Sequence, residues 1–452
     1  MKSRLGLLYF LQFGVWGSYL SSFGQLLGKG GLGGDIAWFY AAVGLLALLT
    51  PALAGHIADA TRKPARILGI CHLCAALAMT CCWAYCLGHD KFEFWPMFLP
   101  YIAFLAFYMP TIALANTTTF SILHSHGIRP VDAFPSIRIW GTVGFVFAMW
   151  FVNCAWYDDG AFGITFSDAD VHARMRFQYN SMQLLCSAAL GLVTAALTLL
   201  LPSSESESGG VKSAQSKSVA SIFGLKAFSL FKIPDVRTFL IFMMFMGVCL
   251  QISNGYAVPF INHFMGIPEY AGNFIASNGT LLFSLSQISE ACCMLLVGKA
   301  IKRLGIRIVV TLAMAAWCLR FVFLGIGNPG AGMIFLILSM IVYGIAFNFL
   351  TIASHLYMES RCSGDNKGFG QGLVMMMTNG IGATCGIVGA GAIINAFCDW
   401  EMVKLPSGNM MRLFMGQWEW AWLIFGAYAA VIGILFVCIF RVKKSESARK
   451  CE

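Results

Sequence analysis

Twelve stretches of this chain each stay apolar for roughly the 20 residues that an α-helix needs to cross a bilayer. That repetition constrains the fold more than any other feature. The stretches run near 5–27, 35–57, 66–88, 96–122, 136–157, 180–202, 237–262, 270–298, 306–326, 330–358, 368–397 and 416–441. They are long and do not alternate polar with apolar, so they predict helices, which satisfy their own backbone hydrogen bonds in lipid, rather than barrel strands. Charged residues make up 11% of the chain and hydrophobic ones 58%, whereas a soluble domain carries about 25% charged residues. A disordered chain, a collagen and nearly all soluble enzymes are excluded. The expectation is an all-α integral membrane protein that is not an enzyme. The first stretch follows Lys2 and Arg4 as a secretory signal would. It also carries Gln12 and Trp16 and lacks a clear small-x-small cleavage site, so it is read as a retained span.

Basic residues set the orientation. With a cytoplasmic N-terminus, 22 of the 30 Lys and Arg residues fall in inside segments. Six fall outside (Lys29, Lys91, Arg174, Arg176, Lys404 and Arg412), and Arg138 and Arg320 lie within spans. Both termini are therefore expected in the cytoplasm of a multi-pass inner-membrane protein. The net charge of +9 is a consequence of topology and gives no reason to expect a nucleic-acid partner. The 16 cysteines sit mostly inside spans, where Cys is a small, easily buried residue. The group Cys71, His72 and Cys74 lacks the second ligand pair that a zinc site needs, and no metal or cofactor is expected.

The polar run SSESESGGVKSAQSKS breaks the pattern as a flexible linker would. It divides the chain into an N-terminal six-helix half (1–202), a cytoplasmic linker (203–235), a C-terminal six-helix half (236–441) and a cytoplasmic tail (442–452). The segment IFGLKAFSLFK that follows the run reads equally as a surface helix or a loop. After the second span come Gly55, Asp59, Arg62 and Lys63; after the eighth come Gly298, Lys302, Arg303, Gly305 and Arg307. This echo resembles the loop signature of the major facilitator superfamily, with Lys302 where an Asp would sit. Paired six-span halves imply alternating access around a site near mid-membrane.

Charges inside a span are costly and face the bundle interior or a water-filled cavity. Arg138, Thr142 and Phe145 share one helix face at i, i+4 and i+7. Gln251 and Asn254, and likewise Gln287 and Glu290, are spaced i, i+3. Tyr343 and Phe347 are spaced i, i+4, with Asn348 adjacent. Gln12, Trp16 and Tyr19 make a further stripe on the first span. Amides, a hydroxyl, an Arg and a Glu can exchange hydrogen bonds with a neutral polyhydroxylated ligand, and the aromatic rings can stack on a planar one. The set suits a sugar joined to an aromatic base; interhelical hydrogen bonding and core packing are the alternative. Arg320 serves either structure or site and is left out of the candidates.

Several segments together resemble the bacterial nucleoside:proton symporters of the major facilitator superfamily. They are FLQFGVWGS around 11–18, MPTIALANT (109–117), FPSIRIWGTVGF (134–145), GLKAFSLFK (224–232), LQISN (250–254), SLSQISE (284–290), LSMIVYGIAFNF (338–349), QGLVMMMTNGIG (371–382) and WLIFGAY (422–428). The resemblance covers nearly the whole chain. It implies a nucleoside such as uridine or adenosine bound between the halves by Arg138, Thr142, Phe145, Gln251, Asn254, Gln287, Glu290, Tyr343, Phe347 and Asn348. It also implies import coupled to a proton; Glu290 is the expected carrier of that proton, and a monomer is the expected state. The family pattern has an Asp where this chain has Asn348, and Asn cannot carry a proton. A carrier of another small polar solute, a sugar or a peptide fragment, is the alternative cargo.

Overall fold

A computed structural model describes residues 1–61, 63–167, 170–201, 230–361 and 366–440. The Ser-rich run, most of IFGLKAFSLFK, the tail after 440, Arg62 and the side chain of Asp59 lie outside the described residues. The N-terminal half is built from α1 (Lys2–Gly17), α2 (Phe23–Lys29), α3 (Ile36–Thr61), α4 (Pro64–Leu87), α5 (Phe94–Ser125), α6 (Pro130–Cys154) and α7 (Met182–Leu199). The C-terminal half contains α8 (Pro234–His263), α9 (Gly279–Ile326), α10 (Met333–Arg361), α11 (Asn366–Met375), a π-helical turn (Met376–Gly382), α12 (Ala383–Phe397) and α13 (Trp418–Ile439). Pro64, Pro130 and Pro234 open their helices, where a missing N–H costs nothing.

Three of the twelve expected rods take an unexpected form. The first is broken: between α1 and α2 the Ser18 hydroxyl bonds back to the Gly14 carbonyl and Ser22 to that of Tyr19. Hydroxyls placed this way compete with the helical ladder. The eighth and ninth are one 48-residue helix, α9, turned at Gly305 with φ +79°. The sequence predicts a loop near 299–305; the chain instead stays helical to a single-residue corner that L side chains other than Gly disfavour. The eighth rod also starts at Gly279 rather than near 270, because short 3-10 turns occupy Phe264–Gly266 and Pro268–Tyr270.

Two antiparallel hairpins are added to the helices. Strands β1 (Ala155–Asp158) and β2 (Ala161–Ile164) meet at Asp159 and Gly160, both at positive φ. Strands β3 (Cys398–Lys404) and β4 (Met410–Gly416) pair between α12 and α13. Both hairpins lie at one end of the bundle, here the hairpin end. The N-terminus, the Gly305 corner and the last residues of α10 and α13 lie at the other, the terminal end.

Helices α1, α4, α5, α6 and α7 pack on one another, as do α8 to α13. The halves meet where α6 packs on α9 and where α3 packs on the π turn and α12. At this second seam the backbones nearly touch. A Cβ on Gly44 would fall 2.5 Å from the Asn379 carbonyl oxygen; within the C-terminal half α8 meets the π turn as closely, a Cβ on Gly247 falling 2.2 Å from the Thr378 carbonyl oxygen.

Candidate functional site

The N-terminal half contributes α6. Arg138 lies with its guanidinium 4.0 Å from the centre of the Phe13 ring and 5.8 Å from that of Tyr9. Both rings belong to α1, and Tyr9 is fixed by donating to Asn116 Oδ1 at 2.7 Å. Thr142 is half-buried one turn further along α6, and Phe145 is buried beyond it. Sequence spacing found the α6 face but missed its α1 partners; Tyr9 and Phe13 stand i, i+4 on a facing helix.

The Gln12, Trp16 and Tyr19 stripe belongs to the core of the N-terminal half instead. Gln12 is buried, donates to Thr111 Oγ1 and accepts from the Tyr108 hydroxyl through its backbone carbonyl. Trp16 packs edge-on to Tyr108, and Tyr19 packs against Tyr101 and Phe104. His72 also packs against Tyr108, and no cluster of three metal-binding side chains occurs among the described residues.

The C-terminal half supplies three helices. On α8, Asn254 donates to Gln251 Oε1 at 3.4 Å. On α10, the rings of Tyr343 and Phe347 stack in parallel, with centroids 5.8 Å apart and planes 5° apart. Trp317 meets Tyr343 edge-on. The Gln287 side chain of α9 lies beside the Tyr343 hydroxyl. Asn348 is buried and donates to the backbone carbonyl of Glu290, so its amide ties α10 to α9. The Glu290 carboxylate and the Arg138 guanidinium are close enough to attract across the interface. No ion pair joins them among the described residues. A cation on one half thus opposes an anion on the other, beside paired amides and a two-ring stack.

Arg320, left out of the candidates by the sequence, is fully buried with its guanidinium 4.5 Å from the Tyr343 ring centre. A narrow crevice runs from Phe347 and Trp317 towards the terminal end, past Thr351, Ser354 and Thr378.

The cross-half hydrogen bonds among the described residues cluster in the hairpin-end part of the bundle. Asn278 Oδ1 accepts from Asn153 Nδ2 at 2.7 Å and from the buried Arg176 at 3.0 Å. Asn278 Nδ2 donates to the Phe166 carbonyl at 2.7 Å. Thr280 donates to Gln178, Tyr179 to the Ser277 carbonyl, Trp150 to Ser284 and Gln25 to the Arg412 carbonyl. The hairpin end is closed by these contacts. None of these was visible in the sequence, because each joins loop or helix-end residues nearly 100 or more positions apart.

Comparison with known proteins supplies the remaining findings. Residues 1–445 match the family described as Nucleoside H+ symporter. The chain is 34% identical over 445 residues to the xanthosine permease of Escherichia coli strain K12, covering 97% of this chain and 95% of that one. It is 32% identical over 446 residues to the nucleoside permease NupG of the same strain, covering 98% and 96%. A crystal structure of the nucleoside transporter NupG superposes with a TM-score of 0.79 at 32% identity, covering 98% of this chain and 99% of that one. A tetrameric PepTSo2 structure superposes with a TM-score of 0.68 at 14% identity, covering 100% and 99%, a likeness of fold alone.

Proposed function

The chain belongs to the nucleoside H+ symporter family, and from that premise we propose that Arg138, Thr142, Phe145, Gln251, Asn254, Gln287, Glu290, Tyr343, Phe347 and Asn348 frame its nucleoside site, with Glu290 carrying the coupled proton. The protein is a multi-pass membrane transporter of the major facilitator fold, not an enzyme, and it imports nucleosides together with protons. The observation that supports the site is the opposition of Arg138 and Glu290 across the halves without contact, next to the Tyr343–Phe347 stack. The base packs against that stack. The ribose hydroxyls exchange hydrogen bonds with the amides of Gln251, Asn254 and Gln287. Asn348 acts by holding the Glu290 segment of α9 in place.

The bias of Lys and Arg towards the terminal end favours cytoplasmic termini. On that reading the closed hairpin end faces outward and the structure is the inward-facing state, in an inner membrane, with halves at 1–202 and 236–441 joined by the 203–235 linker. The transporter works as a monomer, since each half completes the other's site. In the outward-facing state a proton reaches Glu290. Its neutral carboxyl no longer has to be carried as a charge through an apolar interior. The loaded halves then rock, and the proton leaves to the cytoplasm.

Labelled uridine uptake in cells lacking their own nucleoside carriers tests this reading, with and without a protonophore. Saturable uptake that the protonophore abolishes is the expected result. The Glu290→Gln variant keeps nucleoside binding but loses accumulation driven by an acid exterior. Gradient-driven accumulation at the unsubstituted rate in that variant refutes the role given to Glu290.

A further inference from the structure

We propose that Arg320 is the positioning residue of the nucleoside site, fixing from behind the three helices that present the C-terminal half's ligand contacts. The inference rests on the site reading above. Arg320 is fully buried, and no carboxylate pairs with it among the described residues. Its partners are neutral and lie on three helices. Nε and NH2 straddle the Ser253 hydroxyl of α8 at 3.0 and 2.6 Å. NH1 reaches the Ser286 hydroxyl at 3.2 Å and the Ser339 carbonyl at 2.8 Å. The Ser339 hydroxyl donates back to the Arg320 carbonyl at 2.9 Å.

Each partner is a neighbour of a site residue. Ser253 stands between Gln251 and Asn254, Ser286 immediately precedes Gln287, and Ser339 lies one turn before Tyr343. The guanidinium also lies 4.5 Å from the Tyr343 ring centre, so it sets the ring that Phe347 stacks on.

Holding helices together does not require a buried charge. An apolar side chain of similar volume does so without the desolvation penalty of an unpaired cation. A guanidinium adds direction: a planar fork whose donors fix three acceptors at set angles, which the single point charge of a lysine cannot reproduce. The amide pair on α8, the Gln287 side of α9 and the aromatic pair on α10 are thereby held in one register. Arg320 touches no ligand and acts through the groups it places.

The test separates positioning from plain stability. Arg320→Lys and, as a milder lesion, Ser253→Ala are compared with the unsubstituted transporter for membrane abundance, thermal unfolding of purified protein and uridine uptake kinetics. Positioning predicts that Arg320→Lys raises KM at least about tenfold while the maximal rate per folded molecule falls less, and that Ser253→Ala raises KM by a smaller factor with unfolding nearly unchanged. KM within about twofold of the unsubstituted value in both variants, with only abundance or unfolding temperature lowered, overturns it. Should the unsubstituted protein carry no uridine, the nucleoside reading fails, and the inference is then decided without ligand by a structure of Arg320→Lys. Displacement of Tyr343 from its stack on Phe347 upholds it, and an unmoved stack overturns it.

Discussion

Replacing Asn278 with Ala removes the centre of the hairpin-end closure, and its effect can be sized from the contacts. The Asn278 side chain makes three hydrogen bonds to the opposite half: from Asn153, from Arg176 and to the Phe166 carbonyl. A buried neutral hydrogen bond is worth about 1 kcal/mol net and one to a charged group about 2. The three bonds together are worth about 4 kcal/mol, and water entering the gap offsets part of that, leaving a lost coupling of about 3 kcal/mol. Because the bonds exist only while the hairpin end is closed, the whole loss falls on that state. At about 1.4 kcal/mol per tenfold, the balance moves roughly 100-fold towards opening at the hairpin end. Hydrogen–deuterium exchange of the full-length protein in lipid nanodiscs reads this out. Amides in 166–180 and 264–280 should exchange much faster in Asn278→Ala, while those at the Gly305 corner should not. Uptake should slow, since return to the inward-facing state becomes the unfavourable step. Unchanged exchange in both hairpin-end segments, in a variant that still unfolds cooperatively, refutes the assignment of these bonds as the closure.

Three further outcomes follow from single contacts. Arg138→Lys keeps the charge but loses the flat face laid over Phe13 at 4.0 Å; with a cation–π contact worth about 1 to 2 kcal/mol when desolvated, uridine KM should rise roughly tenfold, as measured by initial uptake rates. Asn348→Asp can donate to the Glu290 carbonyl only in its protonated form, so uptake by this variant should fall more steeply than that of the unsubstituted protein as external pH rises; superimposable pH profiles would contradict the tie. Gly44→Val drives a Cβ to within 2.5 Å of the Asn379 carbonyl oxygen, and overpacking of that kind costs about 1 to 3 kcal/mol, so the detergent-solubilised protein should unfold at a lower temperature.

The rods were legible because lipid leaves a chain few choices: where the sequence stays apolar for the width of a bilayer, a helix must form. The α6, α8, α9 and α10 faces were legible because a polar side chain inside lipid is informative by itself, and its spacing assigns it to a face. The same reasoning put Gln12 and Tyr19 on one stripe without saying what covers it, and their partners Thr111 and Tyr101 lie in the same half; periodicity marks a face but not which neighbour covers it. Asn348 was placed among the site residues beside Phe347, and the sequence did not show that its amide also donates to the α9 backbone. Arg320 was visible as an intramembrane charge, yet its acceptors are serines and a carbonyl, which carry no signal of their own. The corner at Gly305 looked like a loop, since one residue at positive φ and a short loop read alike in a basic, glycine-containing segment.

The seam between α3 and the π turn has a mechanical consequence. Its two surfaces approach backbone to backbone at Gly44 and carry mostly small groups, with Thr384 donating to the Ala41 carbonyl at 3.2 Å, so few long side chains have to leave one rotamer well for another when the halves tilt. Such a contact behaves more as a bearing than as a clasp: it carries load while offering little resistance to rotation. The barrier to rocking then resides in the Asn278 cluster at the rim. The rate of the cycle and the strength of the assembly are accordingly set by different residues, so evolution or an engineer can tune turnover at the rim without loosening the axle.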